Sequence, residues 1–259
     1  MKRTITLCLA VAATMALAAC TTSGGSGELP SKPKPKLAAR YNAQLASNYM
    51  NEGRMDLARK KLALAMQQAP DLAVVHNVLA LYYSRLGHYE KADEQYRISL
   101  HYKPNDPDTL NNYGVFLCNR GKPRASLQYF MRAADDLNYP TPDSALANAG
   151  LCAQKIPDAK LAAKYFRQTL AVNPNQPQAL WQLGLAAFKQ GRYSQANKYI
   201  TQLVSSRSNP SAQALWVAIE TNWTLGQRKQ AEAYGRELVK RYPNSPEANK
   251  FIQLLSSGS

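Results

Sequence analysis

Between residues 39 and 245, apolar side chains return every three to four positions, with polar residues on the opposite flank, in one short stretch after another. That spacing puts the apolar residues on one side of an α-helix and predicts a succession of amphipathic helices. Glycine and proline punctuate the stretches in alternation. Gly53, Gly87, Gly121, Gly191 and Gly226 fall between two stretches, and Pro70, Pro104, Pro174 and Pro243 follow the second of each pair. Glycine suits a turn where φ is positive, and proline cannot continue a helix. The predicted unit is two antiparallel helices, A then B.

Six such units follow in register, at 39–72, 73–106, 107–142, 143–176, 177–211 and 212–245. The first carries Leu45, Ala46, Tyr49, Gly53, Ala58, Leu62, Ala65 and Pro70. The second carries Leu79, Ala80, Tyr83, Gly87, Ala92, Tyr96, Ser99 and Pro104. A small residue at the eighth place lets helix A approach its partner, and the alanine at the twentieth does the same from helix B. This order of sizes, with a period of about 34 residues, matches the tetratricopeptide (TPR) pattern. One pair cannot bury its apolar face alone, so the stack is the cooperative unit. The expected fold class is all-α: a right-handed superhelix of six TPR helix pairs over residues 37–255, ending in a C-terminal capping helix at 246–255.

Three units depart from the pattern. The third has two extra residues near Asn138-Tyr139-Pro140 and no closing proline. The fourth has Pro157 where the others have glycine. The fifth is one residue longer near Ser208-Asn209-Pro210. Loops are expected at each.

The chain begins differently. Lys2 and Arg3 precede a short apolar run, Ile5 to Leu17, and then Leu17-Ala18-Ala19-Cys20. The run is too short to span a bilayer and reads as a signal peptide over 1–19. A cysteine at the first mature position resembles a bacterial lipoprotein lipobox, which implies lipidation of Cys20. An ordinary signal peptide with a chance cysteine is the alternative. Residues 20–36 follow as the lipidated cysteine and a flexible tether rich in Gly, Ser, Pro and Lys. Thr21 stands where such lipoproteins usually carry Asp for inner-membrane retention. By that resemblance the chain is expected at the outer membrane, lipid-anchored, on the periplasmic face.

The formal charge is +15, of which Lys2 and Arg3 leave with the signal. Export removes the chain from nucleic acid, so no nucleic-acid partner is expected. An anionic membrane surface, an acidic protein partner or a merely solvated basic surface each fits the sign.

Of four cysteines, Cys8 falls in the signal and Cys20 in the lipobox. Cys118 and Cys152 stand at places twelve and ten of neighbouring A helices, which pack side by side in this fold. A disulfide between them is expected in an oxidising compartment, with two buried free thiols as the alternative.

Chemistry is harder to find. His76, His88 and His101 have no metal-like spacing, and there is no Walker loop, GxSxG or HExxH. No catalytic residue, metal, cofactor or small-molecule substrate is expected. The surface remains. TPR places 2, 5, 6, 9, 12 and 13 of helix A face the concave groove. In the first two repeats the expected protein-binding residues are Met50, Val74, Asn77, Val78 and Leu81. A second set, Trp181, Leu185, Phe188, Trp216 and Trp223, stands in repeats five and six. Large apolar side chains exposed in a groove mark a binding surface, and aromatics are favoured anchors. The alternative is that they fill the core of a tightly wound superhelix. Asn77, Asn111 and Asn112 offer amides to a peptide backbone. Ala43 and Ser47 stand where a C-terminal carboxylate clamp needs Lys and Asn.

A lipobox, a short tether, six TPRs and a cysteine in repeats three and four together resemble the PilF/PilW family of type IV pilus biogenesis lipoproteins. Leu110 to Cys118 and Asn148 to Cys152 carry the closest similarity. The resemblance implies a pilotin, which carries secretin subunits to the outer membrane and promotes their assembly into a multimeric pore. The implied partner is the type IV pilus secretin, held in the groove near the anchored end. A general periplasmic TPR scaffold for envelope-assembly or peptidoglycan enzymes is the alternative. An enzyme accessory subunit is a third.

Overall fold

The computed structural model describes residues 34–257. The expected signal peptide, Cys20 and nearly all of the tether lie outside the described residues. All regular structure among the described residues is helical. The order is α1 (Pro35–Asn51), α2 (Met55–Gln68), α3 (Ala73–Arg85), α4 (Tyr89–Tyr102), α5 (Pro107–Asn119), α6 (Pro123–Ala134), α7 (Pro142–Ala153), α8 (Ala159–Val172), α9 (Pro177–Lys189), α10 (Tyr193–Ser205), α11 (Ala212–Thr224), α12 (Arg228–Arg241) and α13 (Pro246–Ser257).

Odd helices are A and even helices are B. Each A helix from α3 to α11 packs on its own B helix, on the B helix before it and on the neighbouring A helices. No B helix packs on another among the described residues. The A helices therefore form a continuous layer and the B helices a row of separate ribs, which is a TPR superhelix.

The turns and ends follow from the sequence. Gly53, Gly87, Gly121, Gly191 and Gly226 all have φ between 70° and 77°, a conformation that side chains with a Cβ rarely adopt. Several A helices begin with a capping side chain that accepts a backbone N–H three residues on. Asp106 Oδ2 accepts from Thr109 at 3.1 Å, Gln176 Oε1 from Ala179 at 2.8 Å and Ser211 Oγ from Ala214 at 3.2 Å. Arg85 and Lys155 share a repeat place at the end of helix A and act at the helix ends before them. Arg85 donates to the carbonyl of Met50, and Lys155 to that of Cys118 at 3.5 Å. A cation at a helix C-terminus satisfies carbonyls that have no partner within the helix.

Packing within a pair sets small against large. A Cβ on Gly114 would stand 2.7 Å from Phe130, one on Gly150 2.5 Å from Phe166, and one on Gly184 2.6 Å from Ile200. The sixth pair reverses the sizes. Ile219, fully buried, holds the glycine's place on helix A, and Gly235 holds the large residue's place on helix B. Phe251 of α13 fills the space that Gly235 leaves.

The three departures all become loops, at 135–141, 154–158 and 206–211. Tyr139 in the first of these is buried against Leu110, Ala133 and Ala145, so this longer loop adds a side chain to the core. Cys118 and Cys152 are joined by a disulfide between α5 and α7, with Cα atoms 5.9 Å apart.

Candidate functional site

The A-helix layer carries the groove, and its lining changes from end to end. In repeats one and two, Met50, Asn77 and Val78 are buried rather than exposed. Met50 and Val78 belong to the first core cluster, with Leu62, Val75 and Tyr82. The alternative of a tightly packed superhelix therefore holds for these three. The first pair packs closely on α3: the fully buried Ala43 and Ala46 share one core cluster with Val75, Val78 and Tyr82, so places that open in a looser stack are covered. Val74 and Leu81 are half-buried and present part of their surface.

Repeats two to four form the middle of the groove, and there the asparagines bond to each other. Asn112 Nδ2 donates to Asn77 Oδ1 at 3.2 Å, and Asn148 Nδ2 to Asn111 Oδ1 at 3.0 Å. In both pairs place six of one A helix donates to place five of the A helix before it. The amides proposed for a peptide backbone are thus partly committed to holding A helices side by side.

Repeats five and six are more open. Trp181, Leu185, Phe188, Trp216 and Trp223 are all half-buried. Phe188, Trp216 and Trp223 line one cleft of about 510 Å³ with Tyr193, Glu220, Lys250 and Leu254. Cations lie over the rings. Arg228 sits 3.6 Å from the Trp223 centroid and Lys250 5.8 Å from that of Trp216. Burial raises the Glu220 carboxyl above its ordinary value, and Lys250 opposes the shift. Trp181 opens instead into a neighbouring cleft with Arg207, Gln213 and Tyr242. The cleft near Trp216 is apolar with a charged rim, the form in which an amphipathic segment is held.

Two features were not read from the sequence. The capping helix α13 walls the aromatic cleft through Lys250 and Leu254. At the other end, Leu37, Tyr41 and Leu45 of α1 stand exposed. Of the histidines, His88 and His101 are exposed and His76 fills a structural place. His76 is buried, with Nδ1 2.7 Å from Gln95 Oε1 and Nε2 2.7 Å from the Pro70 carbonyl.

Tetratricopeptide repeat family models match residues 73–106, 157–196 and 182–246. Type IV pilus assembly protein PilF of Pseudomonas aeruginosa is 28% identical, over 91% of this chain and 93% of its own length. The solved structure of Pseudomonas aeruginosa PilF superposes with a TM-score of 0.71 at 27% identity, covering 85% of this chain and 98% of that one. The crystal structure of PilW, described as a widely conserved type IV pilus biogenesis factor, is 30% identical with a TM-score of 0.66. It covers 83% of this chain and 98% of that one. The chain belongs to the PilF/PilW-like TPR proteins.

In this PilF/PilW-like chain the bridge Cys118–Cys152 ties the third A helix to the fourth. Ser126 Oγ lies 3.0 Å from Cys152 Sγ and donates to the Pro123 carbonyl at 2.7 Å. The bridge and the Asn111–Asn148 bond join the same two A helices, α5 and α7, and the Asn77–Asn112 bond extends the ties to α3, so the middle of the groove is cross-tied. The open side chains lie on either side of it.

Proposed function

We propose that this chain is a pilotin: an outer-membrane lipoprotein, anchored through Cys20, that binds type IV pilus secretin subunits and promotes their localisation and multimerisation. It acts by binding and has no catalytic role. An amphipathic segment of the secretin lies along the A-helix groove. It makes its first hold on Val74 and Leu81, in the repeats nearest the anchor, and a second in the cleft of Phe188, Trp216 and Trp223. The observation that carries this reading is the pair of half-open apolar ends on one A-helix layer, in a chain whose relatives include type IV pilus proteins.

Two pairs of substitutions test it. Val74→Glu with Leu81→Glu places charge in the first hold and leaves the buried Val78 alone. Trp216→Ala with Trp223→Ala removes the second. Each is read by secretin multimers in membrane fractions, with folding checked by circular dichroism. Loss of multimers with the first pair is expected. Loss with only the second moves the main hold to the aromatic cleft. Normal multimers with both pairs would end the groove reading.

A further inference from the structure

Inside the stack, helix A of one pair packs on helix B of the pair before it. The third place of each unit shows the cover: Val75, Thr109, Ala145, Ala179, Ala214 and Ala248 are all buried. Tyr41 holds that place in α1 and is 64% exposed. Leu37 and Leu45, one turn to either side, are exposed too. Spaced by four, the three lie on one face of the helix. Leu64 of α2 is exposed at another such place. Arg132 and Gln202, at the equivalent place in later repeats, reach back to the loop of the preceding pair. Among the described residues, the first pair therefore ends in an uncovered apolar face, at the position where a preceding pair docks elsewhere in the stack.

We infer that this face rests on the surface of an anionic phospholipid leaflet. The inference relies on the proposed reading of Cys20 as a lipid anchor. Cations frame the face. Lys36 and Arg40 are exposed on α1, and Lys34 just before it is exposed too. Lys36 bonds Asp71 at 2.8 Å, and Arg40 makes no ion pair among the described residues. Such cations favour anionic headgroups. They oppose stacking of two copies through this end, because like charges would meet. A Gly/Ser-rich tether of the length expected from the sequence would span roughly 20 Å if coiled, so acylation at Cys20 would raise the effective concentration of α1 at the bilayer. Leu37, Tyr41 and Leu45 then enter the headgroup boundary as the apolar side of an interfacial helix does. Docking by the end face leaves the A-helix groove open along its length.

The probe is the chain from residue 21 onward, which keeps the whole helical stack and cannot be acylated at Cys20. Its partition onto phosphatidylethanolamine–phosphatidylglycerol vesicles is read by co-sedimentation, against neutral phosphatidylcholine vesicles. Binding is expected on the anionic vesicles. It should fall at least about tenfold in Leu37→Ser/Tyr41→Ser/Leu45→Ser, with melting unchanged because all three side chains are exposed. Equal partition of wild type and variant overturns the inference, as does a wild type that ignores anionic vesicles. A wild-type dimer lost in the variant would assign the face to a second copy and overturn it as well. So would loss of secretin multimers in the variant with vesicle binding unchanged, which assigns the face to the protein partner. The probe carries no anchor, so a Cys20 found unacylated in cells would defeat the anchor reading and leave the vesicle result standing.

Discussion

Phe251 of the capping helix lies so close over Gly235 that no Cβ fits there. The contact compensates for the reversed sizes in the sixth pair and makes α13 part of the last repeat's core. Gly235→Ala forces the ring aside and should cost about 1–3 kcal/mol. Phe251→Ala should cost about 3–5 kcal/mol. The double variant should lose less than the sum, since removing the ring makes room for the methyl group. Urea unfolding of the four proteins checks this, and strict additivity would contradict the contact.

The bridge Cys118–Cys152 closes a loop with a sequence separation of 34. In the chain-entropy model such a loop stabilises by roughly 3–4 kcal/mol. Cys118→Ser/Cys152→Ser should lower the urea midpoint accordingly, and reductant should then have no further effect. Equal midpoints for variant and wild type in the absence of reductant would show that the bridge adds nothing to stability.

Asp106 caps α5 and makes stability depend on pH. Desolvation raises its carboxyl, but hydrogen bonds from Lys103 and Thr109 outweigh this and hold it below the ordinary aspartate value. A depressed carboxylate stabilises the fold above its unfolded pKa of about 3.9, and that contribution is lost as pH falls through the folded value. Asp106→Ala should cost about 1 kcal/mol at pH 7. The gap to wild type should narrow below about pH 4. Denaturation curves at pH 7 and pH 3 measure it; a gap that does not change with pH would contradict the assignment.

Much of the fold was legible in the sequence because each repeat states its own geometry. The positive-φ glycines, the small residues facing Phe130 and Phe166, and the sites of the three loops could be read from spacing alone. The groove was legible only in part. Repeat place says which side of a helix a residue takes, and not how closely the neighbouring helix comes. Ala43 and Ala46 pack in the cluster that buries Met50 and Val78, and Asn77, next to Val78 on α3, is buried too. The bare end at Tyr41 escaped for a different reason. The pattern assigns every repeat the same neighbours, and among the described residues the first pair has none before it. A large aromatic where most other repeats carry alanine was the available signal.

The central claim is that the chain brings secretin to the outer membrane and promotes its assembly. The most direct test deletes the gene and follows the secretin by membrane fractionation and non-denaturing gel. The account predicts loss of outer-membrane multimers, restored by the wild-type chain and not by Cys20→Ala. Normal multimers in the deletion strain would contradict it.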